Sequence, residues 1–192
     1  MIYGILTILN ERRNPELYQT WRDLEDSCQL PREFLTPVPH ITWHVAGSYT
    51  HSELQEILAR WTAHKRAIAA QASGLGIFSG PSPVIYVRVF KDQRLINFQR
   101  SLWKAVIHSA EEPSAYYAPD AWMPHITLAY GEIPPESLGC AIQALAYKVI
   151  RFRFTVDHVA LGYLHEDNTW GIAAEYFLQY SQDRSLGKAE GH

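Results

Sequence analysis

The chain has 192 residues, of which 47% are hydrophobic and 19% charged, with a formal net charge of −3. That length supports one good core, or two small lobes that share one. No apolar run approaches the roughly 20 residues that cross a bilayer, and the slight acidity argues against a long nucleic-acid track while leaving room for a nucleotide or the end of a short oligomer.

In chain order, Ile2 to Leu9 reads as a strand and lacks the basic start of a signal peptide. Asn14-Pro15 has the N-cap and N1 pattern and opens a helix to about Cys28. A strand is expected near 38–46. Thr50-His51-Ser52-Glu53 has capping-box spacing and opens a helix to about Lys65. Strands near 68–78 and 83–90 follow, and Asp92 can cap a helix to about Ala110. Glu111 to Pro119 reads as a loop, 124–131 as a strand, and Pro134-Pro135-Glu136 opens a helix to about Tyr147. The last strands are expected near 150–163 and 169–179. Ser181 to His192 is polar and short of apolar anchors, which leaves 1–180 as a single folded unit and 181–192 as a flexible tail. Cys28 and Cys140 fall in helical patterns, and two cysteines do not make a disulfide framework, so the default compartment is the cytoplasm.

The tetrapeptide Pro-His-Ile-Thr occurs at 39–42 and again at 124–127, with its histidines 85 residues apart. Other landmarks recur at similar offsets. Tyr3 precedes His40 by 37 residues and Tyr86 precedes His125 by 39; Leu75-Gly76 and Leu161-Gly162 follow at 36 and 37 residues. A tryptophan-containing helix lies between strand and motif in both cases, with Trp21 and Trp103. The pattern predicts an internal duplication with two interleaved halves. The expected fold class is α+β and bilobal: two pseudo-twofold-related lobes, each a mainly antiparallel sheet backed by helices, with a cleft between them.

In a strand, residues i and i+2 share a face. His40, Thr42 and His44 are therefore expected on one face of the first motif strand, and His125, Thr127 and Ala129 on one face of the second. A lone His-x-Thr is best read as a half-buried strand histidine beside a β-branched neighbour. Two copies at equivalent positions reverse that judgement. Two imidazoles can take a proton from an attacking oxygen and give one to a leaving oxygen, and two hydroxyls can hold phosphoryl oxygens as charge builds on them. Tyr86 and Arg88 share a face of their strand and are candidates for base stacking and phosphate pairing. Tyr3 and Thr7 are weaker candidates for the cleft lining, as are Trp170 and Trp122 for stacking. His40 and His44 do not make a zinc pair, because i and i+4 on a strand lie roughly 13 Å apart. Gly74 to Gly80 superficially suggests a phosphate loop, but it precedes a proline and a strand rather than a helix. The other histidines read as surface or structural.

Duplicated His-x-Thr motifs at this spacing, in a chain of this length, resemble the 2H phosphoesterase superfamily, and within it the 2′-5′ RNA ligase and cyclic nucleotide phosphodiesterase group. The resemblance spans about residues 1–180. It implies catalytic roles for His40, Thr42, His125 and Thr127 in a central cleft, and no cofactor or metal. It also implies hydrolysis of 2′,3′-cyclic phosphates or cleavage of 2′-5′ bonds, with ligation as a further activity. It favours His125 as the base that activates water and His40 as the acid. The expected partner is a nucleotide or a short RNA end, and the expected state is a cytoplasmic monomer without membrane contact. Two rival readings are a nucleotide-binding module without turnover, against which the intact histidines argue, and a protein-interaction module using exposed aromatics.

Overall fold

The structure is a computed structural model that describes residues 2–36, 38–165 and 170–180. The expected tail at 181–192 lies outside the described residues, as does Thr169. The elements run β1 (Ile2–Ile8), α1 (Pro15–Cys28), β2 (His40–Tyr49), α2 (His51–Ala63), β3 (Ile68–Phe78), β4 (Val84–Val89), α3 (Gln93–Val106), β5 (Ala110–Pro113), β6 (His125–Tyr130), α4 (Pro135–Ala146), β7 (Arg151–Val156), β8 (His158–Leu164) and β9 (Trp170–Phe177). No described helix is long and apolar enough to cross a membrane.

Two elements differ from the sequence expectation. The run 150–163 is two strands, broken at Asp157, whose carboxylate accepts bonds from Arg13 at 2.5 Å, from His158 at 2.8 Å and from Tyr180 at 2.9 Å. The expected loop at 111–119 begins as β5, which lies along the end of β2 with Ser48 opposite Glu111. Its Ala-Glu-Glu-Pro sequence has little intrinsic strand preference, so pairing with β2, and not propensity, makes the strand.

The strands run β7-β3-β4-β6-β2-β1-β8-β9 across one sheet, with β5 beside β2. The join between β6 and β2 is a single pair, Ile41 opposite Ile126. This narrow seam divides the sheet into two antiparallel half-sheets: lobe A (β2, β1, β8, β9) and lobe B (β6, β4, β3, β7). Lobe A draws its strands from both ends of the chain, and lobe B from the middle stretch between them. Helices α2 and α3 pack together, with α2 against β9 and α3 against β2. Helices α1 and α4 form the other pair. Trp21 of α1 donates to the Leu128 carbonyl at 2.8 Å. Cys28 and Cys140 join the two helices by a disulfide, which the count of two cysteines did not suggest.

The core lies between the sheet and the helices. Ile5, Ile41, Trp43, Ile85, Val87, Ile126 and Leu128 supply the sheet side, and Leu54, Leu58, Leu102 and Leu145 are among the helix side. Both motif strands carry a β-bulge at the same place. On β2, Thr42 lies opposite Leu6 and His44 opposite Ile5, so Trp43 is the extra residue. On β6, Thr127 lies opposite Tyr86 and Ala129 opposite Ile85, so Leu128 is the extra residue. A bulge inverts the alternation that follows it. Hence His44 and Ala129, expected beside the motif side chains, are turned into the core and fully buried.

Candidate active site at the seam

The seam register decides the site. With Ile41 opposite Ile126 in antiparallel sense, His40 falls opposite Thr127 and Thr42 opposite His125. All four side chains then share the face away from the core, while the two isoleucines are fully buried beneath them. The arrangement is a two-by-two block with the histidines on one diagonal, and diagonal neighbours on a sheet lie about 7–8 Å apart. The four residues are half-buried, reachable but partly stripped of water.

Each imidazole is fixed in the same way. The Nδ1 of His40 lies 2.8 Å from the Val38 carbonyl, and that of His125 lies 2.7 Å from the Met123 carbonyl. A carbonyl only accepts, so each Nδ1 carries the proton and each Nε2 is the nitrogen that changes protonation state. The prolines at 39 and 124 set this up. Each stands at a strand entry and needs no N–H partner, and their carbonyls accept from Leu9 at 2.8 Å and Val89 at 3.1 Å. Burial pushes both histidines below their ordinary pKa, and the nearby His125 lowers His40 further. The backbone of each threonine is also held: the Thr42 carbonyl accepts from Trp122 at 2.9 Å, and the Thr127 carbonyl accepts from Thr36 at 3.2 Å.

In lobe B, Tyr86 lies opposite Thr127 and Arg88 opposite His125. The Tyr86 ring stands 5.3 Å from His125 and stacks on Phe78 at 4.3 Å, and Phe78 in turn meets His125 edge-on at 5.1 Å. Tyr86 lies across Gly76, where a Cβ would fall 2.3 Å from its Cζ, so no larger residue fits beneath it. In lobe A the corresponding strand neighbours are apolar: Leu6 opposite Thr42 and Ile8 opposite His40. The Trp170 indole converges with Leu6 above Gly162 and so stands on the same face, farther along lobe A. Tyr117 comes close to Thr42; burial raises its pKa, and the Thr42 hydroxyl offsets part of that rise.

Tyr3 does not reach this face. It alternates with Leu6 on β1 and packs against Tyr49 and His51 on the helix side. Thr7 is likewise buried, accepting from Trp43 at 2.9 Å and donating to the His158 carbonyl at 2.6 Å. Trp122 is buried as a strut for β2, not a stacking platform. Matching the two halves by their tyrosines pairs Tyr3 with Tyr86, whereas the strand register pairs Leu6 with Tyr86. Sequence reasoning missed Phe78 and Tyr117. The first shares a strand face with Gly76 and was legible by alternation; the second arrives from a distant turn and had no local signal. Among the described residues, no group of three or more His, Cys, Asp or Glu is placed to hold a metal ion.

Comparison with known proteins agrees with this geometry. Among solved structures, TT0787 of Thermus thermophilus superposes with a TM-score of 0.65 at 18% identity, covering 94% of this chain and 100% of its own. LigT of E. coli, crystallised with 3′-AMP, superposes with a TM-score of 0.61 at 15% identity, covering 92% of this chain and 97% of its own. A crystal structure described as a phosphoesterase superposes with a TM-score of 0.58 at 12% identity, covering 92% of this chain and 98% of its own. At these identities the likeness is one of fold. No curated protein matches the sequence. The model of the 2′-5′ RNA ligase superfamily matches residues 13–168, a span that holds both His-x-Thr strands and the seam that joins them, and the chain belongs to that superfamily, the 2H phosphoesterases.

Proposed function

We propose that the protein is a metal-independent phosphodiesterase acting on 2′,3′-cyclic phosphates or 2′-5′ linkages of nucleotides or short RNA ends. The observation that carries this reading is the single seam pair, which sets two imidazoles with free Nε2 atoms and two hydroxyls around one space. One Nε2 takes a proton from water as the water oxygen attacks phosphorus. The bond from phosphorus to the ribose oxygen on the opposite side breaks, and the other Nε2–H protonates that oxygen. The product is a ring-opened phosphomonoester, and the two histidines end with their protonation states exchanged. Thr42 and Thr127 donate to the non-bridging oxygens as their charge grows. Arg88 pairs with the phosphate from beside His125, and the Phe78–Tyr86 stack and Trp170 take the base. The nucleoside monophosphate held by LigT of E. coli is a ligand of the class this arrangement suits.

Turnover of a panel of 2′,3′-cyclic nucleotides and 2′-5′-linked dinucleotides, with a chelator present, tests the reading. We expect hydrolysis of at least one class in the chelator; activity that disappears there and returns with added zinc or manganese contradicts the two-histidine mechanism. For the roles of the two rings, a substrate with an activated leaving group should rescue His40→Ala and not His125→Ala. Rescue of the other variant reverses the assignment.

A further inference from the structure

The two lobes are alike in fold and opposite in charge. The four strands of lobe B contain Arg88, Arg151 and Arg153 and no acidic residue. The four strands of lobe A contain no lysine or arginine and carry Glu175, and Glu111 and Glu112 of β5 lie beside them.

The register places all three arginines on the cleft face. Arg88 lies opposite His125. On β7, Phe152 and Phe154 are buried while Arg151 and Arg153, which alternate with them, are exposed. Arg153 lies opposite Gln71 and Arg151 opposite Ser73 on β3. The Gln71 carbonyl in turn accepts from the Phe90 backbone, and Phe90 follows Arg88 by two and shares its face. A continuous band therefore runs from His125 through Arg88 to Arg151 and Arg153, three strands away, or about 14 Å at the spacing of a sheet. Among the described residues none of the three arginines has an acidic partner. Beside the band, Phe90 is 64% exposed and Met123 is 55% exposed, two apolar side chains open to a base. In lobe A the partner of His40 is Ile8, and the outer strand offers Glu175 and Phe177 on this face. Only lobe B suits an extended polyanion.

We infer that the natural substrate is a short RNA strand whose backbone leaves the histidine pair across lobe B, with phosphates on Arg88, Arg151 and Arg153 and a base against Phe90 and Met123. Built on the phosphodiesterase reading, it adds that the enzyme is adapted to an oligonucleotide end in preference to a free mononucleotide. The band is too short for a long track, consistent with the net charge of the chain.

The test is fluorescence anisotropy of a labelled pentaribonucleotide ending in a 3′-phosphate, titrated with protein at several salt concentrations. It is run beside turnover of a cyclic mononucleotide and of the same pentanucleotide ending in a 2′,3′-cyclic phosphate. Arg151→Glu with Arg153→Glu should weaken binding at least 10-fold. It should also flatten the salt dependence by about 1.4 in log–log slope, at about 0.7 for each single-strand phosphate that is no longer neutralised. The glutamine pair should weaken binding less but in the same direction, which guards against a folding defect in the glutamate pair. Arg60→Glu, an exposed position on α2, changes the net charge by half as much and controls for a general electrostatic effect. Equal weakening by Arg60→Glu, or an unchanged salt slope in both double variants, overturns the inference. The two readings can fail separately. Arginine-dependent binding without any turnover removes the catalytic proposal and leaves the RNA path. Mononucleotide turnover with no preference for the pentanucleotide removes the path and leaves the catalysis.

Discussion

His40 and His125 each donate Nδ1–H to a carbonyl two residues upstream, so Nε2 is the nitrogen left to gain or lose a proton. Both pKa values are lowered by burial, and protonating one ring opposes protonating the other. A turnover that needs one ring neutral and one charged should give a bell-shaped kcat/KM profile with its maximum below about pH 6.5. The kcat profile should lie at higher pH, because a bound phosphodiester anion favours imidazolium. A kcat/KM optimum well above the ordinary histidine range contradicts this. Thr42→Val and Thr127→Val keep the β-branched shape and remove the donor. Each should lower kcat/KM by about 10- to 10³-fold with little change in melting temperature, the upper end being the cost of a lost oxyanion donor. Intact turnover with altered melting reduces the threonines to strand formers. His44 belongs to stability, not catalysis. It is fully buried against Trp103 with only Tyr49 as a partner, and its pKa is pushed down to about 4. The unfolded chain, with an ordinary pKa of about 6.5, takes up the proton more readily, so this contribution is complete above that value and is lost as pH falls towards the folded pKa of about 4. The loss approaches about 3 kcal/mol. Thermal melts should show that acid slope, and His44→Phe should reduce it; an unchanged slope contradicts the assignment. The motif residues were legible because a period of two describes any strand. His44 was misread because the bulge at Trp43 breaks that period, and nothing in the local sequence marks it.

At the scale of elements, the repeated bulge is the device that makes the site. It lets Trp43 and His44, or Leu128 and Ala129, both face the core while His-x-Thr upstream stays open. All four helices begin within a residue or so of the expected positions, although only Asp92 caps its helix through the side chain, accepting from the Leu95 N–H, while Asn14 and Thr50 make no such bond. The prolines at the starts of α1 and α4 mark those ends through their fixed backbone. The Cys28–Cys140 bond was not legible, because it depends on how α1 returns from lobe A to lie behind lobe B. It closes a loop across a sequence separation of 112, for which the chain-entropy model assigns about 4–5 kcal/mol. Reductant should therefore lower the melting temperature of the protein and leave a Cys28→Ser, Cys140→Ser variant unmoved. Equal melting of the oxidised protein and the variant contradicts a stabilising bond. Disulfides persist in oxidising compartments, so this bond weighs against the cytoplasmic expectation drawn from cysteine count.

Over the whole molecule, the paired bulges, prolines and carbonyl-bound imidazoles correspond across the seam, and we propose that they are the imprint of an internal duplication. On the proposed mechanism, these matching parts would serve chemistry that is the same on both sides of phosphorus, a proton removed and a proton delivered. What differs between the lobes is three arginines against a glutamate, a difference that the proposed RNA path, with a substrate that is not symmetric, would use. Spacing of the motifs was enough to expect the two-lobed fold. The single-pair seam was not, because it is set by packing of both half-sheets and not by either strand. The measurement that bears most directly on the whole is kcat/KM for 2′,3′-cyclic nucleotide hydrolysis in EDTA by the protein, His40→Ala and His125→Ala. The parent should turn over, and each variant should fall by at least about 10²-fold, the scale of a lost acid or base. Turnover undiminished in either variant would contradict the two-histidine site.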